Sequence, residues 1–180
     1  MPHLFLVRHA EPAIHGVLLG RLDPPLSDYG RQQAVHCLQS TQLQDIASAA
    51  VYASPLRRAR ETAELAAPGR VTIIDDLAEL SLGEWDGLSW EDIERRDPLL
   101  AARKLEDWLG VTPPGAEPWT AFAARVERAL QQVLAGPLPA VLIAHLTVNS
   151  QLAHRLAGSD PISYTQQYCE VRAYDLPLGG

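Results

Sequence analysis

Short apolar runs alternate along the chain with longer segments in which apolar residues recur at helical spacing. Such runs are typical of buried strands, because they are brief and mainly apolar. They lie at residues 4–7, 49–53, 70–74 and 139–144, and a fifth run at residues 170–176 predicts a last strand at an edge. Because strands alternate with helical segments, the pattern predicts an α/β fold with a mainly parallel sheet, arranged as a three-layer α/β/α sandwich.

Start and stop signals place the helices between these strands. Ser54 and Pro55 resemble an N-cap followed by proline at the first helical position. Ser89 and Asp92 resemble a capping box, and the helix that they open is expected to break at Pro98. Helices are predicted from residue 27 to about 40, from 55 to 67, from 89 to about 109, from 119 to 135 and from 147 to 157.

The overall composition limits the classes of protein that the chain can represent. Its 180 residues, 47% of them apolar, suit one compact domain with a sizeable core. The net charge of −7 argues against a general nucleic-acid or membrane-surface binder, which needs a basic face, but not against a phosphate ester as substrate. No apolar run is long enough for a transmembrane helix and no signal-peptide pattern precedes the first strand, so the cytoplasm is the expected compartment.

Cysteine and histidine spacing gives no indication of a metal site. The two cysteines, Cys37 and Cys169, are far apart and belong to no CxxC pair, which argues against a disulfide framework and a zinc site. Four of the six histidines offer no metal-ligand spacing and are interpreted as structural or solvated: His3, His15, His36 and His154.

Polar residues follow three of the predicted strands directly. Arg8 and His9 follow the first strand, Ser54 the second and His145 the fourth. In open α/β sheets the ligand site lies beyond the carboxyl ends of the strands. We therefore expect these distant segments to converge at one edge of the sheet and to form a site there.

Arg8 and His9 are a candidate pair for phosphoryl chemistry. A guanidinium suits the oxygens of a phosphoryl dianion, and a neutral imidazole beside it can attack phosphorus and form a covalent intermediate. The alternative is a surface Arg-His pair at a strand end. His145, between a buried strand and a helix, is well placed to meet a bound anion, although a lone histidine there can equally be a hydrogen-bonded core residue.

The arginines of the second predicted helix are expected to point in different directions, some toward solvent and one toward the sheet. Arg57 and Arg60 face Glu61 and Glu64 at i,i+4, and these pairs are expected on a solvated face. Arg58 instead lies on the side that faces the sheet, where an inward guanidinium needs an anion. That anion could be a bound phosphoryl group or Glu61, and an ordinary amphipathic helix is the alternative interpretation.

An acidic stretch after the third strand supplies candidate proton donors. Glu79, as a partly buried carboxyl with a raised pKa, could protonate a leaving alkoxide. Glu84 and Asp86 are rivals for that role, and for each of the three acids the alternative is a place in a solvated loop.

Taken together, these segments resemble the histidine phosphatase superfamily, also called phosphoglycerate mutase-like. LVRHAE at residues 6–11 resembles the family's Arg-His-Gly signature, and GRLDPPLSDYG at 20–30 resembles the segment that follows it. SPLRRARETA at 54–63 is similar to the family's arginine motif and ELSLGEWDG at 79–87 to its glutamate motif. His145 falls where the second catalytic histidine belongs, so that five motifs occur in the family's order.

This resemblance implies a role for each candidate residue. His9 would be the phosphorylated nucleophile, and Glu79 would be the proton donor and later the base for water. No metal or other cofactor is implied, because arginine and histidine donors neutralise the phosphoryl charge. Three side chains would hold the phosphoryl oxygens: Arg8, Arg58 and His145.

The resemblance also implies a domain organisation and a reaction. Residues 1–180 would form a single histidine phosphatase domain, with a short helical lid segment, residues 80–120, over the site. The lid segment is short beside those of the family's mutases, which must exclude water from a bisphosphorylated intermediate. Hydrolysis is therefore expected. The comparison with small α-ribazole phosphatase-type members implies a small phosphorylated metabolite as partner, α-ribazole 5'-phosphate or a sugar phosphate.

Three other functions stay open, as does a homodimer. A phosphoglycerate mutase-type phosphoryl transferase shares the motifs. A non-catalytic phosphoester-binding or regulatory protein is suggested by His15, which stands where many members have a phosphate-binding asparagine, and by Leu146, which replaces the usual glycine. A protein phosphohistidine phosphatase is suggested by Ala10 in the signature, although the lid segment argues against a protein substrate.

Overall fold

A mainly parallel sheet forms the centre of the molecule, for which the computed structural model describes residues 3–39 and 44–176. Its order is β3-β2-β4-β1-β5 for the strands β1 (His3–Arg8), β2 (Ala50–Ala53), β3 (Val71–Ile73), β4 (Ala140–Ala144) and β5 (Val171–Asp175). The pairs β1–β4, β4–β2 and β2–β3 are parallel, and β5 pairs antiparallel with β1. The predicted α/β fold with a mainly parallel sheet is confirmed.

The central strands β1 and β4 are buried on both faces. In β1, Leu4 and Leu6 belong to one apolar cluster, whereas Phe5 and Val7 belong to another. Because successive side chains of a strand point to opposite faces, a strand between two apolar layers requires a continuous apolar run. This is the arrangement that the uninterrupted runs in the sequence predicted.

Helices cover both faces of the sheet in the part of the chain that the structure describes. They are α1 (Asp28–His36), α2 (Arg57–Ala66), α3 (Trp90–Arg96), α4 (Pro98–Glu106), α5 (Trp119–Leu134) and α6 (Leu146–Ala157). Buried apolar residues of α5 and α6, such as Phe122 and Leu152, belong to the apolar cluster of Leu4 and Leu6, whereas Ala63 of α2 belongs to that of Phe5 and Val7. The sheet is therefore the middle layer of a three-layer sandwich.

The start of α2 differs from its prediction. The helix begins at Arg57, with Leu56 as its N-cap and no capping side chain, so the prediction that Ser54 caps it and Pro55 begins it is wrong. The physical reason is that the hydroxyl of Ser54 is buried against His145, with its Oγ 2.7 Å from Nε2 of that ring. By contrast, Ser27 caps α1 as predicted, since its Oγ accepts the backbone N–H of Gly30.

Two other helix ends were overestimated. α1 ends at His36, and residue 40, the predicted end, lies outside the described residues. The helical stretch after Ser89 breaks at Asp97 and Pro98 as predicted, and Asp97 caps α4, which ends at Glu106 rather than near residue 109.

Hydrogen bonds join the two ends of the lid segment to each other and to α5. The backbone N–H of Glu84 donates to the carbonyl of Pro114 at 3.0 Å, and that of Glu117 donates to the carbonyl of Ser81 at 3.1 Å. Arg125 of α5 binds the Glu117 carboxylate through Nε at 2.7 Å. Its guanidinium also donates to three backbone carbonyls just before the lid segment, those of Asp76, Ala78 and Glu79. No helix among the described residues is both long and apolar enough to cross a membrane.

Candidate active site

The carboxyl ends of β1, β2 and β4 bring three predicted site segments together. The backbone N–H of His9 donates to the carbonyl of Ala144 at 2.9 Å, and that of Ser54 donates to the carbonyl of Ile143 at 3.1 Å. The rings of His9 and His145 are consequently neighbours, with centroids 5.1 Å apart and planes at 60°. The predicted convergence of these segments at one sheet edge is therefore present in the structure.

The imidazole of His9 has one nitrogen paired with an acceptor and the other with a donor. Nδ1 lies 2.7 Å from the carbonyl oxygen of Ala10, and Nε2 lies 3.2 Å from the Nε–H of Arg58. Since a carbonyl can only accept and a guanidinium can only donate, Nδ1 carries the proton and Nε2 presents its lone pair. Burial, with added repulsion from Arg58 and Arg8, lowers the pKa of His9 to about 3, so the ring is neutral at physiological pH.

Arg58 is buried at the site, as its position on the helix predicted. The side chain is 1% exposed, and its two terminal nitrogens donate to the carbonyls of Leu22 at 2.7 Å and Gly20 at 3.0 Å. Gly20 has a φ of +46°, and a Cβ there would lie 1.7 Å from Oδ1 of Asp86, so this loop needs glycine. Burial lowers the pKa of Arg58, and the Glu79 carboxylate opposes that shift.

The neighbouring arginine of α2 has a different environment. Arg57 is exposed, and its Nε donates to Oε1 of Glu61 at 2.6 Å, as the i,i+4 spacing predicted. Glu61 also pairs with Arg31 at 3.2 Å. The carboxylate of Glu61 is thus paired with two exposed arginines, and the guanidinium of Arg58 keeps only carbonyl and imidazole partners among the described residues.

Arg8 is held by residues that the sequence did not single out. One terminal nitrogen donates to the carbonyl of Gln166 at 2.7 Å, and the guanidinium carbon lies 4.2 Å from the centroid of the Tyr168 ring. The ring of Tyr168 also lies 5.6 Å from that of His9. Gln166 is itself buried, with its side chain bonded to the carbonyl of Leu6 and to Asn149. These residues lie in an irregular segment before β5, where periodicity carries no signal.

Glu79 lines the same cavity as His9 and directly precedes the lid segment. Its Oε1 accepts the N–H of Leu80 at 2.8 Å, and its Oε2 accepts the N–H of Thr147 in α6 at 3.4 Å. Burial raises the pKa of Glu79, and the two amides and Arg58 only partly oppose this shift. A carboxyl with a raised pKa keeps its proton at higher pH than an exposed one and can donate it.

The two rival acids are used elsewhere. Asp86 accepts the backbone N–H groups of Arg21 at 3.2 Å and Leu82 at 2.9 Å, and it thereby joins the lid segment to the loop that carries Gly20. The carboxylate of Glu84 pairs with Arg96 on the exposed side of α3. Of the three candidate acids, the cavity is lined by Glu79.

His145 is fully buried and forms the N-cap of α6. Its Nε2 lies 2.7 Å from Oγ of Ser54, and its Nδ1 is buried without a hydrogen-bond partner among the described residues. Burial lowers the pKa of His145 well below its ordinary value, and the positive charge of Arg58 lowers that pKa further. The ring is therefore neutral at physiological pH.

Arg8, His9, Arg58 and Glu79 line a cavity of about 580 Å³, and the fully buried ring of His145 lies next to it, against His9. The polar base comprises Arg8, His9, Arg58, Glu79, Thr147 and Tyr168. The walls are mainly apolar and combine the loop after β1, the lid segment and the segment before β5: Ile14, Val17, Leu18, Leu80, Leu82, Leu105, Trp108, Leu109, Trp119, Leu146 and Ile162. Such a cavity can accept an anionic group at its base and an uncharged group against its walls.

The charge that the site offers to a ligand comes from side chains and a helix end. In residues 3–39 and 44–176, no three side chains of His, Cys, Asp or Glu lie close enough together to hold a metal ion. The positive charge at the base of the cavity comes from Arg8 and Arg58, close to the N-terminus of α6, which together can bind an oxyanion. His15 lies in the cavity wall, and its Nε2 is 3.8 Å from Oε1 of Glu11.

Comparisons with known proteins agree with this arrangement. The sequence profile described as "Histidine phosphatase superfamily (branch 1)" matches residues 4–175. The adenosylcobalamin/alpha-ribazole phosphatase of Escherichia coli is 31% identical over 162 residues, which cover 86% of this chain and 79% of that protein. The crystal structure of the alpha-ribazole phosphatase from Shigella flexneri has a TM-score of 0.82 and 30% identity, over 97% of this chain and 90% of that one.

Two further relatives differ in length from this chain. A bifunctional protein of Mycobacterium tuberculosis is 34% identical over 151 residues, and the match covers 80% of this chain but only 41% of that protein. The metal-independent phosphoserine phosphatase of Arabidopsis thaliana is 30% identical over 138 residues, which cover 72% of this chain and 57% of that protein. The chain thus spans less than half the length of the mycobacterial relatives that it matches.

Proposed function

The chain belongs to the histidine phosphatase superfamily, and from this premise we propose that it hydrolyses a small phosphomonoester through a phosphohistidine at His9. The observation that carries the proposal is the unprotonated Nε2 of His9, which accepts the Nε–H of Arg58 at 3.2 Å at the base of the cavity. A neutral nucleophile next to a buried guanidinium is what attack on a phosphoryl dianion requires.

In the first step, Nε2 of His9 attacks phosphorus while the bond from phosphorus to the ester oxygen breaks. The imidazole becomes positively charged, and the carbonyl of Ala10, 2.7 Å from Nδ1, stabilises that charge by accepting the Nδ1–H. Arg8 and Arg58 bind the equatorial oxygens, with charge-assisted hydrogen bonds that strengthen as negative charge develops.

Glu79 is the proposed general acid in the first step and the general base in the second. A departing alkoxide is a poor leaving group, so a proton must reach it as the bond breaks. The raised pKa of Glu79 favours the protonated form that this step needs. In the second step, the carboxylate removes a proton from the water that attacks phosphohistidine, so the enzyme returns to its starting state with inorganic phosphate released.

The cavity walls support a leaving group with a flat, uncharged part. The lid segment contributes Trp108 and Trp119 to the walls, together with Leu105 and Leu109. Aromatic and aliphatic side chains favour a substrate such as α-ribazole 5'-phosphate over a sugar phosphate with its many hydroxyl groups. The Escherichia coli and Shigella flexneri relatives, whose names refer to alpha-ribazole, point to the same substrate. We further propose that residues 1–180 form one domain in which the lid segment excludes water.

The test is a screen of phosphate release from α-ribazole 5'-phosphate, several sugar phosphates, phosphoserine and p-nitrophenyl phosphate. We expect the highest kcat/KM with α-ribazole 5'-phosphate. Transfer between positions of phosphoglycerate without phosphate release would instead indicate a mutase. Tight phosphate binding without turnover of any ester would indicate a regulatory protein, and preference for a phosphohistidine protein would indicate a protein phosphatase.

The intermediate can be trapped by rapid quenching during turnover. Phosphate is expected on His9 in an acid-labile, alkali-stable linkage, and the His9→Gln variant should show none. The matched control is His15→Gln, which alters another histidine of the same cavity and should leave the label in place. Label on any other residue contradicts the mechanism.

We also propose that the reaction needs no metal ion. Arg8 and Arg58 supply the charge at the base of the cavity, and the Arabidopsis thaliana relative carries "metal-independent" in its name. Activity should survive exhaustive treatment with EDTA. A loss that a divalent cation restores would overturn this part of the proposal.

A further inference from the structure

The hydroxyl of Ser54 has two partners among the described residues. Ser54 is fully buried, its Oγ accepts the backbone N–H of Leu56 at 3.2 Å, and the same Oγ lies 2.7 Å from Nε2 of His145. The amide can only donate, so the single hydroxyl proton is free for the imidazole. If Nε2 were the donor instead, the buried hydroxyl proton would have no acceptor among the described residues, at a cost of about 1–3 kcal/mol.

The position of the ring proton decides what His145 can do. The ring is neutral at physiological pH, because burial holds its pKa well below the ordinary value, and so it carries a single proton. With that proton on Nδ1 the ring can donate a hydrogen bond from the nitrogen that has no partner among the described residues. With the proton on Nε2 instead, Nδ1 would present a lone pair, and that lone pair would repel a phosphoryl oxygen.

The position of the His145 ring beside His9 indicates which group it would meet. The rings of His145 and His9 are 5.1 Å apart, with the planes at 60°, so a group bonded to Nε2 of His9 would lie close to the second ring. Which imidazole nitrogen is protonated is generally set by the hydrogen bond that the other nitrogen makes. Here that other nitrogen is Nε2, and its partner is Ser54.

We propose that Ser54 is a positioning residue that keeps the proton of His145 on Nδ1, so that the neutral ring donates a hydrogen bond to a phosphoryl oxygen. The serine does not touch substrate and acts through the histidine. The tautomer is a property of the ligand-free protein, whereas the hydrogen bond to phosphoryl oxygen rests on the proposed function.

The test reads the tautomer directly, by nitrogen NMR of protein labelled with ¹⁵N-histidine at pH 7.5. The signals of His145 are assigned by their loss in His145→Gln. The wild-type protein should show a protonated Nδ1 and an unprotonated Nε2, without ligand and with orthovanadate bound. A proton on Nε2, or on both nitrogens in either state, overturns the proposal, and this spectrum needs no Ser54 variant.

The role of the hydroxyl is then tested by Ser54→Ala, with Ser54→Thr as the variant that restores a hydroxyl. In Ser54→Ala the proton should move wholly or partly to Nε2, and the affinity for orthovanadate should fall on the order of 10-fold, the value of a hydrogen bond to a charged group. In Ser54→Thr, the Nδ1 protonation of His145 and the orthovanadate affinity should both return toward the wild-type values. Unchanged Nδ1 protonation or unchanged orthovanadate affinity in Ser54→Ala overturns the proposal.

Two controls separate positioning from general destabilisation and from failure of the proposed function. Ser27→Ala removes the cap of α1, a hydroxyl whose partners are Gly30 and Glu11, and should leave the tautomer of His145 and the orthovanadate affinity unchanged. If no phosphohistidine can be trapped on His9, the proposed function fails. The predicted tautomer and its dependence on Ser54 can nevertheless be observed, because neither depends on turnover.

Discussion

The base of the cavity and the lid segment face the same space but are held in different ways. At the base, His9 and Arg58 are buried, as is His145 beside them, and each is oriented by hydrogen bonds to backbone or to another buried side chain. In the lid segment, backbone hydrogen bonds close the segment and large rings pack inside it, with Trp90 between Trp85 and Trp108 at centroid distances of 6.0 and 6.1 Å. Hydrogen bonds fix a direction, whereas ring packing fixes mainly a shape.

This difference separates two kinds of functional requirement. Phosphoryl transfer needs donors and a nucleophile placed to within fractions of an ångström, which directional bonds supply. Recognition of an uncharged leaving group needs area and shape, which apolar side chains supply. Substitutions at the base should therefore reduce turnover of every ester, and substitutions in the lid segment should discriminate among esters.

Glu79 stands where the two regions meet, and its substitution is expected to have the largest effect. Glu79→Gln keeps the shape but removes the acid, so formation of the phosphoenzyme should slow by roughly 1,000-fold for an alkyl phosphate. It should slow far less for p-nitrophenyl phosphate, whose leaving group needs little protonation. The measurement is the burst rate in single turnover, because the later attack of water is slowed for both esters. Equal slowing of both bursts would assign the acid elsewhere.

Arg58 tests whether direction matters at the base. Arg58→Ala removes a buried donor and should lower kcat/KM on the order of 100-fold for all esters. Arg57→Ala, in the adjacent position but on the exposed face, should change kcat/KM by less than about 3-fold. Steady-state kinetics with two unrelated esters decide the matter. If Arg57→Ala were the more damaging change, the assignment of these two side chains would be reversed.

Trp108 tests whether the lid segment discriminates among esters. Trp108→Ala removes a ring from the cavity wall and should raise KM about 10-fold for α-ribazole 5'-phosphate, while methyl phosphate should be affected little. Leu99→Ala is the control, since Leu99 also lies in the lid segment but is 79% exposed. A proportional loss for both substrates would show that the lid segment acts on the chemistry rather than on selection.

The smallest effect concerns the pH dependence of stability. The folded pKa of His9 is about 3, below the ordinary value of 6.5, so the unfolded chain binds this proton first as the pH falls. The resulting stabilisation is complete above pH 6.5 and is lost progressively toward pH 3. Between pH 6 and pH 5, wild type should therefore lose about 1 kcal/mol more unfolding free energy than His9→Gln.

Denaturant titrations at the two pH values measure this difference. Trp108→Ala, in the lid segment, should have the wild-type pH dependence, because it removes no titrating group. An equal loss in wild type and His9→Gln would mean that the imidazole of His9 is not held neutral by its surroundings.

The elements that periodicity encodes were predicted from the sequence with small errors. The runs of β1 and β4 are continuous because both faces are covered, and that requirement is visible in the residues themselves. The inward direction of Arg58 could also be predicted from the sequence, because residues three and four apart lie on one side of a helix. The apolar runs placed His9 and His145 at strand ends, and their meeting at one sheet edge followed from the general position of ligand sites in parallel sheets.

Contacts between residues far apart in the chain were decided only by the tertiary structure. Ser54 was predicted to cap a helix from its local sequence, but in the fold its hydroxyl lies against His145, 91 residues away. Gln166 and Tyr168 carried no signal, and they reach Arg8 only because β5 returns beside β1. The physical reason is that local pattern determines which face of an element is apolar, whereas the partner of each buried polar group depends on which elements the packed sheet brings together.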